Sequence, residues 1–182
     1  MTDEVILIQQ LKETKSKESA FRKLISQYKE RLYWHIRKIV ISHDDADDVL
    51  QNTFIKIFKN IDAFKGDSKL FSWMYRIATN ESITFINKRA KERKVAISEI
   101  HSELAATLQS DVYFSGDEIQ LILQKAIATL PTKQQLVFNM KYFDELKYSQ
   151  ISEILTTSEG ALKASYFHAV KKIEKYIQQN NN

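Results

Sequence analysis

An all-α protein of two small helical domains joined by a linker is predicted by three observations. Glycine occurs three times and proline once in 182 residues, too few for the hairpins and tight turns of a β-fold. Apolar residues recur at helical spacing, most clearly Phe21, Leu24, Ile25, Tyr28, Leu32, Ile36 and Ile39. Charge is segregated along the chain. Residues 1–94 hold 19 Lys and Arg against 13 Asp and Glu; residues 95–118 hold five acids and no base; residues 119–182 hold eight Lys against five acids. Two basic blocks around an acidic strip suggest two polyanion-binding domains, 1–94 and 118–182, with 95–117 as a non-binding linker. Ser110, Ser115 and Gly116 suit such a linker.

The composition also excludes several classes. A hydrophobic share of 43% supplies real cores, so global disorder is not expected. The absence of Cys rules out disulfides and thiolate metal sites. The four histidines, His35, His43, His101 and His168, lack metal-ligand spacing, and there is no Gly-rich phosphate loop. No cofactor, metal or catalytic site is expected. Met1 to Ile8 contains neither a basic start nor a signal-peptide core, and no run of about eighteen apolar residues occurs. A cytoplasmic protein with no membrane contact of its own is the expectation.

Helical spacing covers residues 5–11 and 20–40. Ser42 then opens a helix with Asp44, Asp45, Asp47 and Asp48 near its start and Val49, Thr53, Phe54, Ile57 and Phe58 on its apolar face. Carboxylates there sit on the positive end of the helix dipole, each contributing roughly 0.3–1 kcal/mol when exposed. The face bearing Asp48, Gln51, Asn52, Lys56 and Lys59 fits either plain solvation or docking. Aspartates 44, 45 and 48 resemble the magnesium-holding helices of some prenyl-chain enzymes, yet no second aspartate cluster faces them.

A polar loop over 62–71 leads into a helix, Ser72 to Asn80, followed by a stretch from Phe85 to Lys94. Its last seven residues include Lys88, Arg89, Lys91, Arg93 and Lys94. Phe71, Trp73, Tyr75 and Phe85 stand beside this basic run. Single-stranded nucleic-acid sites use that combination: bases stack on rings at ~1–3 kcal/mol each while Lys and Arg follow the phosphates. Any one of the four rings fits a core equally well.

The last sixty residues contain a helix through Tyr148–Leu155, a turn at Thr156-Thr157-Ser158, and a second helix capped by Ser158. Leu162, Tyr166, Ala169 and Ile173 form its inward stripe; Lys163, Ala164, Phe167, His168 and Lys171 point outward. The pattern fits a helix-turn-helix that lays its second helix in the DNA major groove. An ordinary amphipathic hairpin remains open on this segment alone.

In order along the chain, three segments resemble the sigma factors of bacterial RNA polymerase, specifically the extracytoplasmic-function (ECF) group of the sigma-70 family. They are Asp45-Ala46-Asp47-Asp48-Val49-Leu50-Gln51-Asn52-Thr53-Phe54-Ile55-Lys56, the stretch Phe64-Lys65-Gly66-Asp67-Ser68 through Trp73-Met74-Tyr75-Arg76-Ile77-Ala78-Thr79-Asn80, and Leu130-Pro131 through the helix-turn-helix. The resemblance implies a sigma factor that binds core polymerase and directs promoter recognition, melting and initiation. It implies that Asp48, Gln51, Asn52, Phe54 and Lys56 dock on the β′ clamp. It implies that Phe64, Lys65, Asp67, Ser68, Trp73, Arg76 and Asn80 hold an unstacked base of the minus-ten strand, with Asn87, Lys88 and Arg89 on adjoining phosphates. The minus-thirty-five reader would be Ser158, Lys163, Ala164, Phe167, His168 and Lys171, on a domain that also holds the β flap. An anti-sigma factor is an implied partner, clamping the two domains in an idle state.

Three departures matter. Thr156 stands where the family often has Gly, so the turn lacks an inexpensive positive φ. Lys147 stands where a capping Ser or Thr is usual, so that helix end is expected to fray. All six Arg precede residue 94, so the upstream reader has no bidentate Arg for guanine and is expected to favour a weaker or A·T-oriented element. A free-standing helix-turn-helix regulator is the alternative reading.

Overall fold

The computed structural model describes residues 3–108 and 118–180. Among the described residues, nine α-helices and one 3-10 turn make up the regular structure. Helices α1 (Asp3–Lys12), α2 (Lys17–Val40), α3 (His43–Asn60) and α4 (Leu70–Arg93) form a first group. Helices α6 (Glu118–Ala128), α7 (Thr132–Tyr142), α8 (Tyr148–Leu155) and α9 (Glu159–Asn180) form a second. Helix α5 (Ile97–Ala106) lies between them.

Local chemistry explains the boundaries. The predicted stripe of α2 is its buried one, with Leu24, Leu32, Ile36 and Ile39 at most 1% exposed. Ser42 caps α3, its hydroxyl accepting from the Asp45 N–H at 3.4 Å. Residues 70–93 form one continuous helix whose buried face runs Leu70, Met74, Tyr75, Ala78, Ser82, Ile86 and Ala90. The Thr79 and Ser82 hydroxyls donate back to the carbonyls of Tyr75 and Ala78, so neither is buried unpaired. Lys94 ends α4 in the left-handed region.

The linker is more ordered than its composition suggests. Its first half is α5, which packs on α4 and α6 and buries Ile100, His101, Leu104 and Ala105. The spacing of those four residues is itself helical; their acidic surroundings masked it. Arg93 at the end of α4 pairs with Glu103 at 2.8 Å. Residues 109–117, with Ser110, Ser115 and Gly116, lie outside the described residues.

Burial lowers the pKa of the His101 imidazole, opposed only by a hydrogen bond to the backbone of Ile39. Its Nε2 has no hydrogen-bond partner among the described residues. A depressed folded pKa adds stability that is complete above the ordinary value of 6.5 and is lost as pH falls below it. Thermal melts at about pH 7.5 and pH 5.5 are therefore expected to differ, by about 1 kcal/mol per pH unit until the folded value is reached. His101→Leu should narrow that gap. An equal gap in the variant would assign the acid sensitivity elsewhere.

The core is continuous. Alongside Leu24, Leu32, Phe54 and Met74 of the first group, it takes in Val137, Met140, Leu146, Ile151, Ile154 and Leu162 of the second. A smaller cluster of Ala126, Ile127, Leu130, Phe138, Ala169 and Ile173 holds α6, α7 and α9 together. Polar contacts cross the same junction. Asp144, in the α7–α8 connection, accepts from His35 Nδ1 at 3.1 Å and pairs with Lys38. Asn139 Nδ2 donates to the Lys38 carbonyl at 3.3 Å, and Arg76 Nη2 donates to the Glu153 carbonyl. The two groups are closed on each other.

Candidate nucleic-acid interfaces

The helix-turn-helix is α8, residues 156–158 and α9. Ser158 caps α9, its Oγ accepting from the Ala161 N–H at 3.4 Å. Leu162, Ala169 and Ile173 are buried, and Tyr166 stacks on Phe138 with centroids 5.8 Å apart. Lys163, Ala164, Phe167, His168 and Lys171 are all exposed, and Phe167 keeps 58% of its surface accessible. Lys163 lies over the Tyr148 ring at 5.7 Å and Lys171 over Phe167 at 5.9 Å. The face is thus cationic and aromatic together, able to meet phosphates and thymine methyls.

Two details of this unit refine the expectation. The start of α8 is not left open: Gln150 Oε1 accepts from the Lys147 N–H at 3.0 Å. Gln three residues after the cap position was the sequence signal for it. The turn does use a positive φ, with Thr156 at φ 51° and ψ 48° closing α8 through its N–H to the Ser152 carbonyl. A β-branched residue is strained there. Thr156→Gly is expected to stabilise the protein by about 0.5–1 kcal/mol, net of the entropy Gly adds to the unfolded chain. A chemical-denaturation midpoint that does not rise would show the strain is already relieved.

The second site is the loop before α4 together with one face of that helix. Gly66 turns the loop at φ +83°. Lys65 and Asp67 are exposed and Ser68 is half-buried. Phe64 is buried at 4%, its ring 5.2 Å from that of Trp73, so it serves as the floor under Trp73 rather than a free stacking surface. Trp73, Arg76, Asn80 and Asn87 share one face of α4, at spacings of three, four and seven. Exposed Thr84 lies on the same stripe and escaped the sequence reading because it is neither aromatic nor charged. Lys88 is exposed, while Arg89 is paired with Asp45. Phe71 and Tyr75 are core residues, with Arg31 over the Phe71 ring at 4.3 Å.

Arg76 is engaged by the helix-turn-helix itself. Its guanidinium bonds to the Glu153 carbonyl, and the Arg76 Nε and Glu153 Oε2 atoms are buried without a hydrogen-bond partner among the described residues. The contact is therefore incompletely satisfied, the kind that separates at modest cost.

On α3, Asp48, Gln51 and Asn52 are exposed along one face, and Lys56 pairs with Glu81. Phe54 is only 8% exposed and meets Phe21 edge-on at 6.2 Å, so it supports the helix from inside. Ile55, four residues after Gln51, is 45% exposed and adds an apolar anchor missing from the sequence reading.

Residues 24–92 match the family Sigma-70 region 2, and residues 120–173 match Sigma-70, region 4. The ECF RNA polymerase sigma factor SigW of Bacillus subtilis (strain 168) is 30% identical, over 96% of this chain and 98% of its own length. The ECF RNA polymerase sigma-E factor of Escherichia coli (strain K12) is 26% identical, over 98% and 95%. Among solved structures, CnrH in complex with the cytosolic domain of CnrY superposes with a TM-score of 0.71 at 20% identity, covering 97% of each chain. The sigma factor RpoE of Bartonella quintana, with the anti-sigma factor NepR, superposes with a TM-score of 0.66 at 19% identity, over 87% of this chain and 96% of that one. With both regions present in order and a 30% identical relative spanning almost its whole length, the chain belongs to the ECF group of sigma-70 family RNA polymerase sigma factors.

Proposed function

We propose that this sigma factor divides its work between two separable units. Residues 1–94 dock on the β′ clamp of core polymerase through Asp48, Gln51, Asn52 and Ile55 of α3. The same unit captures the minus-ten strand with Lys65, Asp67, Ser68, Trp73, Arg76 and Asn80, while Asn87, Lys88 and Arg89 follow the phosphates. Residues 118–182 read the minus-thirty-five element through α9 and hold the β flap with another surface. The observation that carries the reading is the stripe Trp73, Arg76, Asn80 and Asn87 on a single helix beside a Gly-turned polar loop. An aromatic with flanking cations is suited to a flipped or unpaired base.

The closed arrangement is the idle form. Arg76 cannot hold a strand while it bonds to Glu153. CnrH and RpoE were each solved with a second protein, RpoE with an anti-sigma factor. A partner of the anti-sigma class is inferred for this chain too, one that stabilises a closed state the chain already reaches alone.

The deciding experiment mixes the purified protein with bacterial core polymerase and maps start sites on a library of random promoters. Co-elution with shared, spaced upstream and downstream boxes is the expected result. Tight duplex binding without polymerase association would favour a free-standing regulator. Gln51→Ala combined with Ile55→Ala should weaken core binding by about 10- to 100-fold, the loss of an apolar anchor and its polar neighbour, without altering the boxes. A change in the boxes instead would move those residues to the DNA.

A further inference from the structure

The loop before α4 is fastened at both ends by side chains from the start of the molecule. Lys12 Nζ donates to the Phe64 carbonyl at 2.6 Å. Lys17 Nζ pairs with Asp62 at 2.7 Å. Glu4 Oε1 accepts from the Leu70 N–H at 3.1 Å. Leu70 is the first residue of α4, and the cap position before it is Lys69, whose side chain has no acceptor. The Glu4 carboxylate therefore supplies the missing cap and sets a negative charge on the helix's positive end. Helix α1 is itself anchored, with Leu7 and Leu11 buried in the large core. All three tethers come from residues 4–17, ahead of residue 24, where the family match begins.

We propose that Glu4 and Lys12 are positioning residues for minus-ten strand capture. Phe64 and Leu70 bracket Lys65, Asp67 and Ser68, so fixing those two backbone points sets the loop in one shape before DNA arrives. A loop already ordered does not lose its conformational freedom on binding, and the strand is held correspondingly tighter. The charge of Glu4 acts through the backbone of Leu70, and Lys12 acts through the backbone of Phe64. Neither side chain needs to touch DNA. The inference rests on the loop being the strand site.

The test uses holoenzyme and a fluorescent non-template oligonucleotide taken from a mapped start site. Glu4→Ala with Lys12→Ala should weaken strand binding about tenfold, leaving core affinity and upstream duplex affinity unchanged. Glu4→Gln with Lys12→Arg keeps the acceptor and the donor and should restore most of the loss. Hydrogen exchange at the Leu70 amide should accelerate in the alanine pair and recover in the conservative pair. Unchanged strand binding in the alanine pair, or a parallel loss of all three affinities, overturns the proposal. Lys65→Ala with Asp67→Ala separates the two levels. If that pair weakens strand binding and the Glu4–Lys12 pair does not, positioning alone is wrong. If neither pair does, the loop is not the strand site and positioning falls with it.

Discussion

Asp144→Ala is expected to open the protein. The Asp144 side chain is 7% exposed and serves two side chains of the other helical group, His35 and Lys38. Burial pushes its carboxyl up, but hydrogen bonding and charge from His35, with Lys38 adding to both, outweigh that and hold it below the usual carboxylate value. Removing it leaves the His35 Nδ1, on a side chain 1% exposed, without its acceptor. Breaking a buried charged contact of this kind costs about 2–4 kcal/mol, with Lys38 discounted for its partial exposure. Because the same core joins both groups, the loss should appear as a melting temperature lower by roughly 5–15 °C. It should also appear as a larger radius of gyration in solution scattering. The depressed carboxyl fixes the pH window: its contribution is complete above the ordinary value near 3.8 and fades as pH falls through the lower folded value. This contact should therefore persist at neutral pH and be lost only in strong acid. A variant as compact as the wild type would show that the apolar part of the junction suffices.

Trp73→Ala carries the second large effect. The ring is half-buried on Phe64 and shares its face with Arg76 and Asn80. Base stacking on an aromatic is worth ~1–3 kcal/mol, so the rate of promoter opening by holoenzyme should fall by about 10- to 100-fold. Trp73→Phe should retain part of the activity because it keeps a π-face. On a template whose minus-ten region is mismatched beforehand the defect should shrink, since unpairing no longer has to be offset. An equal defect on both templates would place Trp73 in the fold rather than in strand capture.

Much of this was legible in the sequence, for physical reasons. The stripe of α2, the Ser42 and Ser158 caps and the split faces of α9 are consequences of a 3.6-residue period and of side-chain chemistry within one turn. The outward set on α9 needed only that period. Phe54 and Phe64 were harder: a ring next to polar residues fits a surface or a core, and only the packing of Phe21 and Trp73 against them decides. The helix in the acidic segment was hidden because its four buried residues lay in a stretch with acids and no Lys or Arg. The bonds from Glu4, Lys12 and Asp144 span 52 to 109 residues of sequence and have no periodic signature at all. They exist because the chain returns on itself, which no local rule encodes.

In the closed form the outward face of α9 stays exposed while α8 engages Arg76 on α4. On the proposed roles, that asymmetry puts events in sequence: landing on intact duplex is possible at any time, and gripping an opened strand only after the halves part. A chain that returns to the closed form loses, on those roles, its grip on single strand while its duplex-reading face stays free.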